Sequence, residues 1–269
     1  PQNLQPSPTS AFPSPLHRLR QQIADLRAAD APADVPRLAT GIPPIDEHLA
    51  AGLDPRGVHE WLTASPNHRP APDDLRPWCL LAHLAWQSWL QAADRGGAAR
   101  RIVWVGRSVW PHPHILLRDR ARDRRLLRRC IFIDAPDPGQ RLWATDLALR
   151  SDAACLVIAD GDAMALPATR RLQLACEAAA VPLMLARPEP IGRHSKPSAA
   201  TTRWRITPTP SPTRHPRWCL ELLRCKDAAA ANNFRNLECT LEWNRETHDV
   251  RLPAEPGDRT GATSQPSTP

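Results

Sequence analysis

Tyrosine is missing from the 269 residues, and lysine nearly so. Only Lys196 and Lys226 break a basic set that is otherwise arginine. A mechanism that needs many lysines is therefore excluded. An excess of acid is absent as well: the formal net charge is +7 and the pI about 9.5, which excludes an acidic protein. Glycine is scarce at 11 residues against 31 prolines, so glycine-built phosphate loops have little material. No apolar run reaches the roughly 18–20 residues of a membrane span; the longest, around Cys79–Trp86, is broken by His83 and stopped by Gln87. The seven cysteines are odd in number and form no CxxC, so they read as small buried side chains in a reduced cytoplasm. His112 and His114 lack partner cysteines or carboxylates at zinc spacing, and no metal is expected there.

What is present suffices for a large core. Hydrophobic residues make up 42%, and ten tryptophans supply most of the aromatic content. Residues 1–14 and 253–269 are rich in Pro, Ser, Thr and Gly and read as disordered tails; the polar, Pro-rich start is not a secretory signal. Ser14-Pro15 resembles a helix start. Leu16, Leu19, Ile23 and Leu26 follow at helical spacing, predicting an amphipathic helix over 15–30. That helix either docks on its own domain or serves as a partner-binding arm.

The segment from 37 to 252 alternates strands and helices. Strands are expected at Val58–Leu62, Ile102–Val105, Cys130–Ile133, Cys155–Ala159 and Leu183–Leu185. Helices are expected at Trp78–Ala93, Ile115–Arg128, Pro138–Arg150 and Pro167–Ala180, with Asp137 as an N-cap. Such alternation means βαβ units and a parallel sheet. From Arg203 onward strands follow strands, ending in a hairpin around Asn244–Thr247. The expected architecture is α/β, a mostly parallel sheet flanked by helices with C-terminal antiparallel strands. Arg203-Trp204-Arg205 and Arg217-Trp218 predict core tryptophans with outward arginines.

Several strings, in order, resemble a known core. Thr40-Gly41-Ile42-Pro43-Pro44-Ile45-Asp46 and Gly52-Leu53-Asp54-Pro55-Arg56-Gly57 resemble the opening of the RecA ATPase core. Cys155-Leu156-Val157-Ile158-Ala159-Asp160 resembles its Walker B strand. Ala168-Thr169-Arg170-Arg171-Leu172-Gln173-Leu174-Ala175, Leu185-Ala186-Arg187-Pro188 and the stretch Ser198–Ile206 resemble the inducible-mutagenesis accessory family, ImuA, whose members are RecA-like proteins of translesion DNA synthesis. The resemblance spans roughly residues 37–252. It implies a RecA-like fold and partners of three kinds: an ImuB-type Y-family polymerase homologue, an error-prone replicative-type polymerase, and RecA itself.

Against that resemblance one motif is lacking. A P-loop needs glycines whose N–H groups wrap phosphates, a Lys for the β/γ oxygens and a Ser/Thr for Mg²⁺. Here the first strand leads into Thr63-Ala64-Ser65-Pro66-Asn67-His68-Arg69-Pro70, with no glycine between Gly57 and Gly96 and no lysine before Lys196. Prolines there remove further N–H donors. After the second strand, where RecA-like enzymes carry a catalytic Glu, stands Gly106-Arg107-Ser108. Asp160 remains as a vestigial Walker B position, either as a strand-end turn cap or as a residual metal ligand. No catalytic residue, cofactor or metal is expected.

Arg118, Arg122, Arg124, Arg125, Arg128 and Arg129 crowd one stretch. They read either as a solvated helix or as a patch for nucleic acid or an acidic partner. Trp110, near Arg107, is either a buried ring or a stacking platform. The resemblance thus implies a non-catalytic scaffold in SOS mutagenesis, cytoplasmic or nucleoid-associated, with weak DNA binding and no membrane contact. The alternatives are a modulator of RecA filaments or of cell division, and an ATPase with a non-standard phosphate loop.

Overall fold

A nine-stranded mixed sheet organises the chain, in the order β3-β2-β4-β5-β1-β6-β7-β8-β9. The computed structural model describes residues 35–63, 78–96, 100–116, 125–189, 197–227 and 237–253. The chain divides into two units, Pro1–Pro36 and Arg37–Pro269, and the second is described here. Leu16, Leu19, Ile23 and Leu26 lie outside the described residues, as do residues 64–77 after the first strand.

The strands are β1 (Val58–Thr63), β2 (Arg101–Val105), β3 (Cys130–Ile133), β4 (Ala154–Asp160), β5 (Leu183–Pro188), β6 (Thr202–Thr209), β7 (Arg217–Cys225), β8 (Glu238–Asn244) and β9 (Asp249–Arg251). Neighbours from β3 through β6 pair in parallel, and β6 through β9 pair antiparallel. The helices are α1 (Pro43–His48), α2 (Trp78–Asp94), α3 (Arg125–Arg129), α4 (Pro138–Arg150) and α5 (Leu166–Ala179). This is a mostly parallel sheet with antiparallel C-terminal strands and flanking helices, consistent with an α/β RecA-like fold. Among the described residues no helix is long and apolar enough to cross a membrane.

The period-2 alternation of strands divides the core into two layers. Ile102, Trp104, Ile158, Met184, Trp61 and Trp204 pack with α1 and α2. Val103, Val105, Val157, Leu183 and Leu185 pack with α4 and α5. Trp61 and Trp204 are register partners on β1 and β6, stacked at 5.5 Å and 9°. Central parallel strands are covered on both faces, which is why β4 and the start of β5 read as near-continuous apolar runs.

Local signals explain most boundaries. Asp137 caps α4, accepting from the backbone N–H groups of Gly139 (2.8 Å) and Gln140 (3.1 Å), with Pro138 in the first turn. Thr40 and Gly41 donate to the Asp46 carboxylate (2.7, 2.8 and 2.9 Å), so the Thr-Gly…Asp string fastens the start of α1. The Asn244–Thr247 hairpin is present, with Trp243 opposite Val250.

Three expectations need correction. Of the predicted helix Ile115–Arg128, the start belongs to a short 3₁₀ turn at Pro113–Leu116 and the end to α3; residues 117–124 lie outside the described residues. Helix α2, for which the sequence predicts one inward face of Trp78, Leu81, Ala82, Ala85 and Trp89, also buries Leu80, His83 and Leu84. Arg203 does not point to solvent: alternation fixed its side of the sheet correctly, but that side is covered and holds a carboxylate.

Candidate functional site

In open α/β sheets, ligands bind outside the carboxyl ends of the strands. Here those ends bring together Gly106 after β2, Asp134 after β3, Asp160 closing β4 and Arg187 on β5. The β3–α4 connection supplies a further residue. Pro138 starts α4, and Arg141, one turn in, points under the strand ends and is buried. Its Nη1 donates to the Pro136 carbonyl (2.6 Å) and its Nη2 to the Asp162 carbonyl (3.1 Å). Its Nε stands 3.7 Å from Oδ2 of Asp160, an ionic contact rather than a hydrogen bond. The other oxygen of Asp160 accepts from the Asp162 N–H at 2.9 Å.

Gly106 presses against this pair. A Cβ there would lie 2.8 Å from Cδ of Arg141 and 2.9 Å from Cβ of Asp160, and its φ of +89° suits glycine. The space in front of the Walker B-like carboxylate is therefore filled by a guanidinium and its stem. Mg²⁺ demands near-octahedral oxygen ligands at about 2.0–2.1 Å and keeps its waters. A carboxylate already faced by a fixed cation under a tightly packed turn does not fit that ion. Among the described residues no cluster of His, Cys, Asp and Glu can hold a metal. Arg107, just after β2, is exposed and paired with Asp134, its Nε donating at 2.8 Å. Asp160 caps the turn after β4 through the Asp162 N–H and carries an ionic partner in Arg141.

Protein ImuA from Caulobacter vibrioides (strain NA1000 / CB15N) is 33% identical to this chain over 147 residues, covering 49% of this chain and 58% of that protein. Protein ImuA from the strain ATCC 19089 / CIP 103742 / CB 15 matches equally. Over that stretch this chain is similar to Protein ImuA. The chain spans little more than half the length of these curated relatives. No family model matches it.

A second constellation adjoins the strand ends. Glu60 on β1 is fully buried. Its Oε1 accepts from Arg187 Nη1 (2.8 Å) and from the Ser198 hydroxyl (2.6 Å), and its Oε2 from Arg203 Nε (2.7 Å). Arg187 also donates to the Met164 carbonyl at 2.8 Å. Arg224, the cross-strand partner of Arg203, donates to the Ser198 and Ala200 carbonyls. Burial lowers the Arg224 pKa, and the charge of Arg203 lowers it further. The network ties β1, β5, β6 and β7 together. Sequence reasoning missed it, yet one signal existed: a Glu inside an apolar central strand must be paired.

The sequence-predicted residues fall as follows. Arg118, Arg122 and Arg124 lie outside the described residues, and Arg125 is described only in its backbone. Arg128 and Arg129 end α3 at the opposite end of the sheet from Asp160, where β3 begins. Trp110 is half-buried and meets Phe132 edge-on at 5.8 Å. All seven cysteines are free thiols. Burial pushes Cys130 and Cys239 up to about 11, as structural thiols behave.

Proposed function

We propose that this chain is a non-catalytic, RecA-like scaffold in DNA-damage-induced, error-prone translesion synthesis. It would recruit an ImuB-type Y-family polymerase homologue and, through it, an error-prone replicative-type polymerase, with RecA as a further partner. The observation that carries the non-catalytic half is the Arg141 guanidinium standing where a nucleotide-bound cation would meet Asp160. The missing P-loop glycines and lysine in the sequence support it. The process and partners rest on the resemblance to the ImuA family.

Recruitment needs an accessible surface. The 15–30 segment, with Leu16, Leu19, Ile23 and Leu26, is one candidate. An isolated helix of about 15 residues is marginal, so it must pack on something. Deleting residues 1–33 is expected to leave core stability nearly unchanged and to abolish capture of the tagged Y-family homologue. The non-catalytic half is tested by ATP titration: no saturable binding and no single-turnover hydrolysis are expected. Hydrolysis that disappears in Asp160→Ala would instead favour an ATPase with a non-standard phosphate loop.

A further inference from the structure

The described arginines are mostly committed to carboxylates. Arg37, Arg107, Arg171, Arg205, Arg217 and Arg251 all stand in ion pairs, as do those around Glu60 and Asp160. Arg170, Arg224 and Arg245 stand singly outside such pairs, whereas at one place several arginines do so together. At the amino end of the sheet, three adjacent strands begin side by side in the order β3-β2-β4. Arg128 and Arg129 lead into β3, and Arg100 and Arg101 lead into β2. Among the described residues none of these four is in an ion pair. Arg101 Nη1 reaches the Arg128 carbonyl at 3.2 Å, which joins the two pairs directly. Arg95, exposed at the end of α2, lies on the same connection. Among the described residues Asp94 and Asp152 are the acidic residues at the starts of these strands, and Arg150 there is engaged by Asp146 at 3.2 Å. Positive charge is left in excess.

The same edge carries an open aromatic ring. Among the described residues strand β3 pairs only with β2, which makes it the edge of the sheet. Phe132 lies flat on Trp104, with centroids at 6.2 Å and planes at 18°, while Trp110 holds its edge. Trp104 is fully buried, yet Phe132 is 38% exposed, so the stack ends in an accessible ring. Phe132 is three positions on from Arg129, about 10 Å at roughly 3.3 Å per residue. Flexible arginine side chains span that gap between a base on Phe132 and a neighbouring phosphate. Guanidinium groups bind phosphate oxygens bidentately, and aromatic faces accept unpaired bases of any sequence.

We propose that the β3 edge is a binding track for single-stranded DNA, with Arg100, Arg101, Arg128 and Arg129 on backbone phosphates and a base stacked on Phe132. The track goes beyond the scaffold role; only the choice of DNA over RNA rests on that reading. Paired bases cannot stack on Phe132, so duplex is disfavoured.

The test is fluorescence anisotropy of the full chain with labelled oligothymidylate, a duplex of equal length and oligouridylate. Four phosphate contacts give a salt slope near −3, or roughly a 50-fold loss from 50 to 200 mM salt. Arg100→Gln/Arg128→Gln/Arg129→Gln is expected to flatten the slope to about −0.7. Phe132→Leu is expected to weaken single-strand binding about 5- to 100-fold at unchanged slope, and Phe132→Tyr to bind as the wild type. Thermal melting of each variant separates binding loss from unfolding. Equal affinity for duplex, an unchanged slope in the triple variant, or wild-type binding by Phe132→Leu overturns the proposal. So does displacement by polyglutamate as effective as by oligothymidylate, which would mark an acidic protein partner. Tighter binding of oligouridylate overturns the assignment to DNA. None of these outcomes depends on whether the Y-family homologue is captured.

Discussion

Arg141 Nε lies 3.7 Å from Asp160 Oδ2, and the same guanidinium holds the carbonyls of Pro136 and Asp162. One side chain thus braces the turns after β3 and β4 from beneath. Removing it leaves a carboxylate facing an empty space and two carbonyls without donors. Arg141→Met is expected to cost about 3 kcal/mol. In a unit of this size that is a fall in Tm of roughly 6–12 °C by calorimetry. Arg141→Met/Asp160→Asn should recover part of the loss, because the uncompensated charge goes as well.

His59 predicts a pH dependence. It is buried, its Nε2 donates to the Asp54 carbonyl (2.9 Å) and its Nδ1 accepts from the Thr202 hydroxyl (2.8 Å). Trp204 Nε1 donates to that hydroxyl in turn, at 2.9 Å. Burial depresses the His59 pKa below 6.5, partly offset by the Asp54 carbonyl. The unfolded chain therefore takes the proton first. This contribution is intact above pH 6.5 and is lost as pH falls below it, by at most about 1.4 kcal/mol per pH unit. His59→Gln keeps a donor and an acceptor without titrating, and melts from pH 8 to 5 should show a flatter profile. Asp146 and Glu242 act lower. Burial alone would raise both, but arginine hydrogen bonds outweigh it and hold them below 3.8 and 4.5. Their contributions are lost only in stronger acid.

Helix α5 ends on Ala180 at φ +51° and ψ +41°, its N–H bonded to the Cys176 carbonyl. A left-handed cap favours glycine. Ala180→Gly is expected to stabilise the fold by about 0.5–1 kcal/mol, read as a small rise in Tm.

Trp143 and Trp61 should respond oppositely to truncation. Trp143 is 62% exposed on α4, one turn from exposed Leu147, whereas Trp61 is fully buried against Trp204. Trp61→Ala is expected to cost about 3–5 kcal/mol, and Trp143→Ala no more than about 0.5 kcal/mol in chemical denaturation.

The two kinds of structure differ in how far the sequence reveals them. The capping pair Asp137-Pro138 and the apolar run Cys130–Ile133 place their elements because the signals are local. Arg141 has no such signal: one arginine in an arginine-rich chain becomes a brace only when β3, α4 and β4 converge. Arg203 shows a different limit. Alternation gives the face a side chain occupies, but not what covers that face; the carboxylate that draws Arg203 inward sits on β1, 143 positions earlier. The importance of Arg128 and Arg129 likewise depends on β2 starting beside β3, which no spacing within 118–129 reveals.

The placement of β1 carries a consequence for synthesis. Among the described strands it is made first, yet it sits between β5 and β6, the fifth and sixth. From Thr63 to Leu183 about 120 residues must still emerge, which takes roughly 6–24 s at translation rates of about 5–20 residues per second. Throughout that interval a tryptophan-bearing apolar strand has neither lateral neighbour. Nascent chains stalled before Leu183 should be protease-sensitive and bound by ribosome-associated chaperones, with release only once Thr209 has left the exit tunnel.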